Sequence, residues 1–323
     1  MHEVLVTRKL DPAVIIKLSE TCNLDIWDED TAIPYEELLT RIVGKDGLLC
    51  LLTDNVDAKV IEAGVDTLKT ISTMSVGYDH INIEECAERN ISVGYTPDVL
   101  TDSVADLAVG LMLNVGRRIT EASKAAQDGE WDFWRPYWMT GVDLSHATVG
   151  IVGLGRIGST VAKCLKGFDC NVLYTARTPK PDLEALYGMH YTDFDELLAH
   201  SDFITVHAPL TPETNKLFST AQFAKMKPTA ILINTSRGGL IDQDALVTAL
   251  TNKDIYGAAL DVTTPEPLPT NHPLFKLSRC LILPHIGSAS IATRQDMGNL
   301  AAENLIAGLN GTSLPQQVPL PLS

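Results

Sequence analysis

Short runs of β-branched and other apolar residues alternate along this chain with longer stretches whose apolar positions recur at helical spacing. That alternation predicts a parallel α/β architecture, in which helices carry the chain back to the same edge of a sheet. In the first hundred residues the strand candidates are 3–7, 48–53, 68–73 and 91–93, with helical segments such as 11–19 and 58–63 between them. A second series begins after residue 145, with strands at 148–152, 171–175, 203–206, 230–234, 257–262 and 280–283. Six strands with intervening helices fit a doubly wound sheet. Residues 101–119 read as one long helix joining the two series. Asp102 or Ser103 is placed to cap it, and Val104, Leu107, Ala108 and Leu111 fall at helical spacing. Apolar on several faces, it is expected to be buried, against the rest of the chain or another subunit. Residues 300–309 read as a last helix, followed by Gly311 and a proline-bearing tail. No fixed-period repeat interrupts the pattern.

Composition narrows the class. The 323 residues suggest two domains, at roughly 100–200 residues each, or one large one. With 45% hydrophobic and 20% charged residues the chain is globular rather than disordered or collagen-like. Apolar runs such as 48–52 fall far short of the roughly 20 residues a membrane span needs. The net charge of −16 repels nucleic acids and anionic membranes. It repels small anions as well, so an anionic substrate or cofactor requires a few Arg or Lys side chains that reverse the field inside a cleft. Cysteines 22, 50, 86, 164, 170 and 280 are scattered, with no C-x-x-C pair. They read as reduced thiols, and with an N-terminus that enters a strand at once and has no basic–apolar leader, the expected compartment is the cytoplasm.

The first chemical signal is Gly153-Leu154-Gly155-Arg156-Ile157-Gly158, directly after strand 148–152 and opening a helix at 159–165. Glycines there permit a tight turn, close approach of the backbone to a pyrophosphate and close helix–strand contact, while the helix N-terminus offers amide donors to phosphate. The end of the second strand chooses between the nicotinamide dinucleotides. A carboxylate there holds the ribose 2′-hydroxyl of NAD. Here the strand runs into Ala176-Arg177-Thr178-Pro179-Lys180. Arg177 can fork onto a 2′-phosphate, Thr178 can donate a hydroxyl and Lys180 adds charge, so NADP(H) is the expected cofactor, with NAD(H) possible.

Three polar residues follow successive strands of the second series: Arg237 in Asn-Thr-Ser-Arg-Gly-Gly, Glu266 in Leu-Asp-Val-Thr-Thr-Pro-Glu-Pro, and His285 in Leu-Pro-His-Ile-Gly-Ser. In a parallel sheet the carboxyl ends of the strands share one crevice, so these distant residues can converge. Singly, each has a bland reading as a surface ion-pair partner, a solvated loop charge or a packing histidine. Jointly they suit reduction of a 2-oxo acid. Arg237 binds the carboxylate and polarises the carbonyl, His285 supplies the proton, and Glu266 orients the imidazole. No H-E-x-x-H or G-x-S-x-G motif is present, and the eight histidines are dispersed, so no metal site is expected. His207 and His272 read as packing or loop residues.

These motifs, together with Ser75-Val76-Gly77, Gly94-Tyr95-Thr96-Pro97-Asp98-Val99-Leu100-Thr101 and Thr270-Asn271-His272-Pro273, resemble the D-isomer-specific 2-hydroxyacid dehydrogenase family over nearly the whole chain. The resemblance implies a Rossmann cofactor domain, residues 99–286, inserted into a flavodoxin-like substrate-binding domain, residues 1–98 and 287–323, and a homodimer. It implies catalytic roles for Arg237, Glu266 and His285, and carboxylate binding by the amides of Val76 and Gly77. Asp261, Pro209 and Thr235 match positions along the cofactor, and the Arg177-Thr178 turn matches the NADPH-preferring branch. The implied reactions are glyoxylate to glycolate and hydroxypyruvate to D-glycerate.

Trp131, Trp134 and Trp138, with Pro136 among them, belong to a loop. On the residues alone they anchor it to the core or to an interface; the resemblance implies that Trp134 reaches a partner subunit's site and limits substrate size. Ser288 and Arg294, just past the histidine, are candidates for substrate contacts, against readings as a helix cap and a surface charge. Two rival functions remain open on this fold: a dinucleotide-sensing interaction protein and D-3-phosphoglycerate dehydrogenase.

Overall fold

The strand runs pair throughout in parallel ladders, in two separate sheets. The computed structural model describes residues 1–320. It divides into two units, one formed by Met1–Leu100 with the chain from Ala289 onward, the other by Thr101–Ser288.

In the first unit, β1 (His2–Val6), β2 (Cys22–Ile26), β3 (Gly47–Cys50), β4 (Thr70–Thr73) and β5 (Ser92–Gly94) stand in the order β2-β1-β3-β4-β5. This is the flavodoxin-like order. Both β3 and β4 are buried along their whole length; β3, GLLC, is accordingly an unbroken apolar run, while β4, TIST, buries three hydroxyl side chains around Ile71. The strand β2 has no counterpart among the sequence candidates. It is an edge strand, CNLDI, with one side toward water, so polar residues interrupt its apolar signal. The last helix runs over Ile291–Leu309, beginning nine residues earlier than the pattern predicts. Ser290 caps it by accepting the Thr293 N–H at 3.2 Å. Its first turns bury Thr293, Met297 and Gly298, mostly small or polar residues that give little hydrophobic pattern.

The second unit holds seven strands: β6 (Thr148–Val152), β7 (Asn171–Thr175), β8 (Met189–Tyr191), β9 (Phe203–Val206), β10 (Ile231–Asn234), β11 (Gly257–Leu260) and β12 (Cys280–Ile282). Their order, β12-β11-β10-β9-β6-β7-β8, is the doubly wound Rossmann order with one more strand at the edge. The seventh strand, β8, again lies at an edge, and its His190 and Tyr191 are exposed. Apolar clusters cover the sheet. One gathers Ala105, Ala108 and Met112 with Val149, Ile151 and Val161; another gathers Leu198, Ile204, Phe218, Leu232 and Leu246.

The expected helix over 101–119 is two helices. Thr101–Gly116 ends where the Val142 N–H donates to the Gly116 carbonyl at 2.8 Å, and Arg118, in the left-handed region at φ 54°, turns the chain into Ile119–Gln127. Ser103 does not cap the first helix; its hydroxyl donates to the Gly287 carbonyl at 3.0 Å. All six cysteines are free thiols. No helix among the described residues is long and apolar enough to cross a membrane.

Candidate active site

At the carboxyl end of β6 the chain turns through Gly153–Gly155 into the helix Arg156–Leu165. Gly153 has φ +94°, and a Cβ there would come within 2.7 Å of the His207 carbonyl. A Cβ at Gly158 would overlap the Gly153 carbonyl. The protein's own packing therefore demands both glycines. Gly155 differs, because nothing lies within 4 Å of the position its Cβ would take. It is also the N-cap of the helix and offers no side chain to the first-turn amides. Open space beside uncapped amides is what a pyrophosphate needs. Arg156 and Ile157 are the first two residues of that helix.

Two buried polar atoms on the neighbouring strand ends have no partner among the described residues, Thr235 Oγ1 after β10 and His207 Nδ1 after β9. His207 Nε2 meets Thr205 Oγ1 at 2.9 Å, and burial pushes the imidazole pKa down to about 4, so the ring is neutral near pH 7. Buried polar atoms seldom stay unpaired, and two of them beside an open glycine cradle fit a polar ligand along this edge. The sequence pattern marks His207 only as a packing or loop residue; an orphaned ring nitrogen leaves no trace in it. Pro209 follows in the same loop, its carbonyl accepting from Thr214 Oγ1 at 2.7 Å.

After β7, Arg177, Thr178 and Lys180 are all exposed. No carboxylate stands at the strand end. The Lys180 N–H donates to the Tyr174 hydroxyl at 2.6 Å, and that hydroxyl lies 2.6 Å from Glu184 Oε1.

The loops after β10, β11 and β12 carry the three polar candidates. Arg237 follows β10, in a turn built by Asn234: its Oδ1 accepts the Ser236 N–H at 3.0 Å and its Nδ2 donates to the Arg237 carbonyl at 2.8 Å. The next residue, Gly238, is pressed so closely on Thr263 that a Cβ would overlap the Thr263 carbonyl, which sets the Arg237 turn against the loop after β11. That loop carries Glu266, and Gln243 holds it by paired bonds to Thr264, 2.6 and 2.9 Å. Glu266 Oε1 lies 2.5 Å from His285 Nδ1. Glu266 and His285 are thus brought together by direct contact, and Arg237 comes from the adjoining turn.

His285 has a left-handed backbone, φ 55°, a conformation that costs a residue with a side chain on the order of 1–2 kcal/mol. Asp261 holds it there. The Asp261 carbonyl accepts the His285 N–H at 2.9 Å, and its carboxylate accepts the Ile286 and Gly287 N–H groups at 2.7 and 2.8 Å. Burial pushes the Asp261 carboxyl above the usual range, with those two amides acting against it. The family resemblance implies a place for Asp261 along the cofactor; the structure adds that it anchors the histidine turn.

Val76 and Gly77 belong to the other unit, in the loop after β4. A chain of short bonds fixes this loop. Ser75 Oγ donates to the Gly77 carbonyl at 2.6 Å, Thr73 Oγ1 meets Ser75 Oγ at 2.8 Å, and His80 Nε2 lies 3.0 Å from Thr73 Oγ1. Neither Thr73 nor His80 stands out in the sequence, since a buried hydroxyl at a strand end has no pattern of its own. Arg294 is in the first turn of the helix Ile291–Leu309 and lines a cavity of about 540 Å³ with Arg8, Lys9 and Met74. Ser288 is half-buried at the end of the second unit.

Trp134 is 79% exposed, as are its neighbours Trp131, Phe133 and Tyr137 to similar degrees, while the Arg135 guanidinium stacks on Phe133 and Trp138 at 4.8 Å. The loop is therefore not anchored to the core through Trp134. His272 serves as a cap, Nδ1 accepting the Leu274 N–H at 3.3 Å. Among the described residues no group of three or more His, Cys, Asp or Glu side chains is placed to hold a metal ion.

Comparison with known proteins gives the same picture. Residues 109–287 match the family described as D-isomer specific 2-hydroxyacid dehydrogenase, NAD binding domain. The human glyoxylate reductase/hydroxypyruvate reductase is 48% identical over 323 residues, 99% of this chain and 98% of that one. A solved structure from Thermus thermophilus superposes with a TM-score of 0.93 at 43% identity, covering 98% of this chain and 100% of that one. An NADPH-dependent glyoxylate/hydroxypyruvate reductase from Sinorhizobium meliloti, in complex with NADP and malonate, superposes with a TM-score of 0.86 at 31% identity, covering 98% and 96% of the two chains. With the glycine cradle, the doubly wound sheet and the paired Glu266 and His285 already in view, these matches establish that the chain belongs to the D-isomer-specific 2-hydroxyacid dehydrogenase family, a family of oxidoreductases.

Proposed function

We propose that this enzyme is an NADPH-dependent reductase of short 2-oxo acids, converting glyoxylate to glycolate and hydroxypyruvate to D-glycerate. The observation that carries the reading is the 2.5 Å contact between His285 and Glu266 beside the Arg237 turn. In this reading Thr101–Ser288 is the cofactor unit, and Met1–Leu100 with the chain from Ala289 is the substrate-binding unit.

The amides around Gly155 hold the pyrophosphate, and Arg177, Thr178 and Lys180 hold the 2′-phosphate. Thr235, Pro209 and Asp261 line the rest of the dinucleotide, with Thr235 Oγ1 free to bond it. When bound, the reduced nicotinamide supplies the hydride. Arg237 forks onto the substrate carboxylate and draws electron density toward the carbonyl oxygen. Glu266 bonds Nδ1 of His285 and orients the ring, which leaves Nε2 as the atom that delivers a proton to the substrate oxygen. In the substrate-binding unit the amides of Val76 and Gly77 are carboxylate donors, and Ser288 and Arg294 are candidates for contact with the substrate's hydroxymethyl group or carboxylate. The exposed Trp134 loop suits a homodimer in which that tryptophan closes the partner's site and limits substrate size. The cytoplasm is the proposed compartment.

Malonate in the Sinorhizobium complex and the names of the relatives support a small carboxylate substrate. The test is loss of reduced-nicotinamide absorbance on adding glyoxylate or hydroxypyruvate, with NADPH and NADH in parallel. Faster oxidation of NADPH is expected. No oxidation with any short 2-oxo acid would instead favour a dinucleotide-sensing role.

A further inference from the structure

Tyr174 is the largest side chain buried inside β7, with no exposed surface, yet it carries a hydroxyl. A buried hydroxyl requires partners, and this one has two. It accepts the Lys180 N–H at 2.6 Å and donates to Glu184 Oε1 at 2.6 Å. The Glu184 N–H in turn donates to the Lys180 carbonyl at 3.0 Å, which closes a ring of bonds from the strand through the turn to the helix Pro181–Tyr187 and back. Burial, and then the Glu184 carboxylate, push the phenol pKa up, so it stays a donor. Other contacts hold both ends. The Tyr174 ring meets Tyr191 edge-on at 5.5 Å, Lys166 Nζ donates to the Leu186 carbonyl at 3.0 Å, and the Gly153 N–H donates to the Thr175 carbonyl at 2.9 Å, tying the glycine turn to the same strand end.

The turn enclosed by this ring is 177–180, whose side chains are exposed. An exposed Arg or Lys loses much side-chain and backbone freedom when it grips a ligand, and that cost falls when the backbone is already fixed. We propose that Tyr174 and Glu184 are positioning residues for dinucleotide choice: together they hold the 177–180 turn in the conformation that reads a 2′-phosphate, without touching the dinucleotide themselves. The inference rests on the reading of this turn as the 2′-phosphate site.

Because NAD⁺ lacks the 2′-phosphate, the clamp acts on NADP⁺ alone. The experiment is isothermal titration of the full-length protein with NADP⁺ and with NAD⁺, alongside thermal melting. Tyr174→Phe removes both hydroxyl bonds and is expected to weaken NADP⁺ binding about tenfold while NAD⁺ binding moves less than about twofold, the range set by losing hydrogen bonds of which one is to a charged group. Glu184→Gln keeps an acceptor for the phenol and is expected to bind NADP⁺ like wild type. Glu184→Ala removes it and is expected to weaken NADP⁺ about threefold. If Tyr174→Phe fails to fold, the Ala and Gln variants at Glu184 carry the test. Equal losses for both dinucleotides, or no difference between the Ala and Gln variants, overturn the clamp. Arg177→Ala is the control for the underlying reading: if it weakens NADP⁺ and NAD⁺ equally, the turn does not read the 2′-phosphate, whatever the clamp variants show.

Discussion

The two units apply one architectural rule to different ends. Each is a parallel sheet, and in each the polar candidates lie in loops after the carboxyl ends of the strands. In the seven-stranded unit those loops present side chains: a guanidinium, a carboxylate and an imidazole, on turns fixed by Asn234, Gln243 and Asp261. In the five-stranded unit the part proposed for the loop after β4 is main chain instead, the amides of Val76 and Gly77, with Ser75, Thr73 and His80 bonded so as to fix its shape. Proton transfer and carbonyl polarisation need titratable or charged groups, whereas holding a carboxylate needs only well-aimed N–H donors. The contrast predicts that substitutions in the two units separate turnover from substrate affinity.

The largest effect belongs to the side-chain edge. His285→Ala is expected to lower kcat about a thousandfold, the range of a lost general acid, with dinucleotide affinity unchanged. Arg237→Ala is expected to lower kcat/KM by about a hundredfold to a thousandfold, in both kcat and KM, because it removes both binding and polarisation. Steady-state kinetics on hydroxypyruvate decide; a His285→Ala enzyme that turns over at the wild-type rate ends the proposed mechanism.

A middle effect divides the glycines of the cofactor turn. Gly158→Ala drives a methyl into the Gly153 carbonyl and is expected to cost about 1–3 kcal/mol, seen as a lower melting temperature. Gly155→Ala meets open space and is expected to cost less than about 1 kcal/mol in stability while weakening dinucleotide binding. Melting curves and binding titrations should therefore rank the two variants in opposite order. If Gly155→Ala binds NADP⁺ like wild type, that open space is not the pyrophosphate site.

The smallest effect belongs to the main-chain edge. Ser75→Ala removes the bond to the Gly77 carbonyl and is expected to raise KM for the oxo acid roughly threefold to tenfold at nearly constant kcat, the worth of one hydrogen bond. A fall in kcat with KM unchanged would erase the division between the two edges.

Much of this is legible in the chain. Strands β6, β9 and β10 are buried on both faces, and continuous apolar runs mark them without help from context. The glycine spacing announces a dinucleotide turn because backbone geometry there admits no other residue at Gly153 and Gly158. The edge strands β2 and β8 leave a weaker mark, since half of each faces water and the period is lost in three to five residues. The start of the last helix is hidden for a related reason: small residues such as Gly298 fill its packed face, against Val14, and bulk is what a hydrophobic pattern registers.

Residue chemistry and local spacing by themselves determined the class of fold, the dinucleotide turn and the three side chains worth watching, because backbone sterics and strand burial are written one residue at a time. Tertiary structure alone decided that Glu266 meets His285, that Asp261 grips the turn bearing it, and that a tyrosine inside β7 spends its hydroxyl on Lys180 and Glu184. Hydrogen bonds of that kind depend on distance and direction in space, and residues 19 or 25 positions apart acquire both only when the strands carrying them pair.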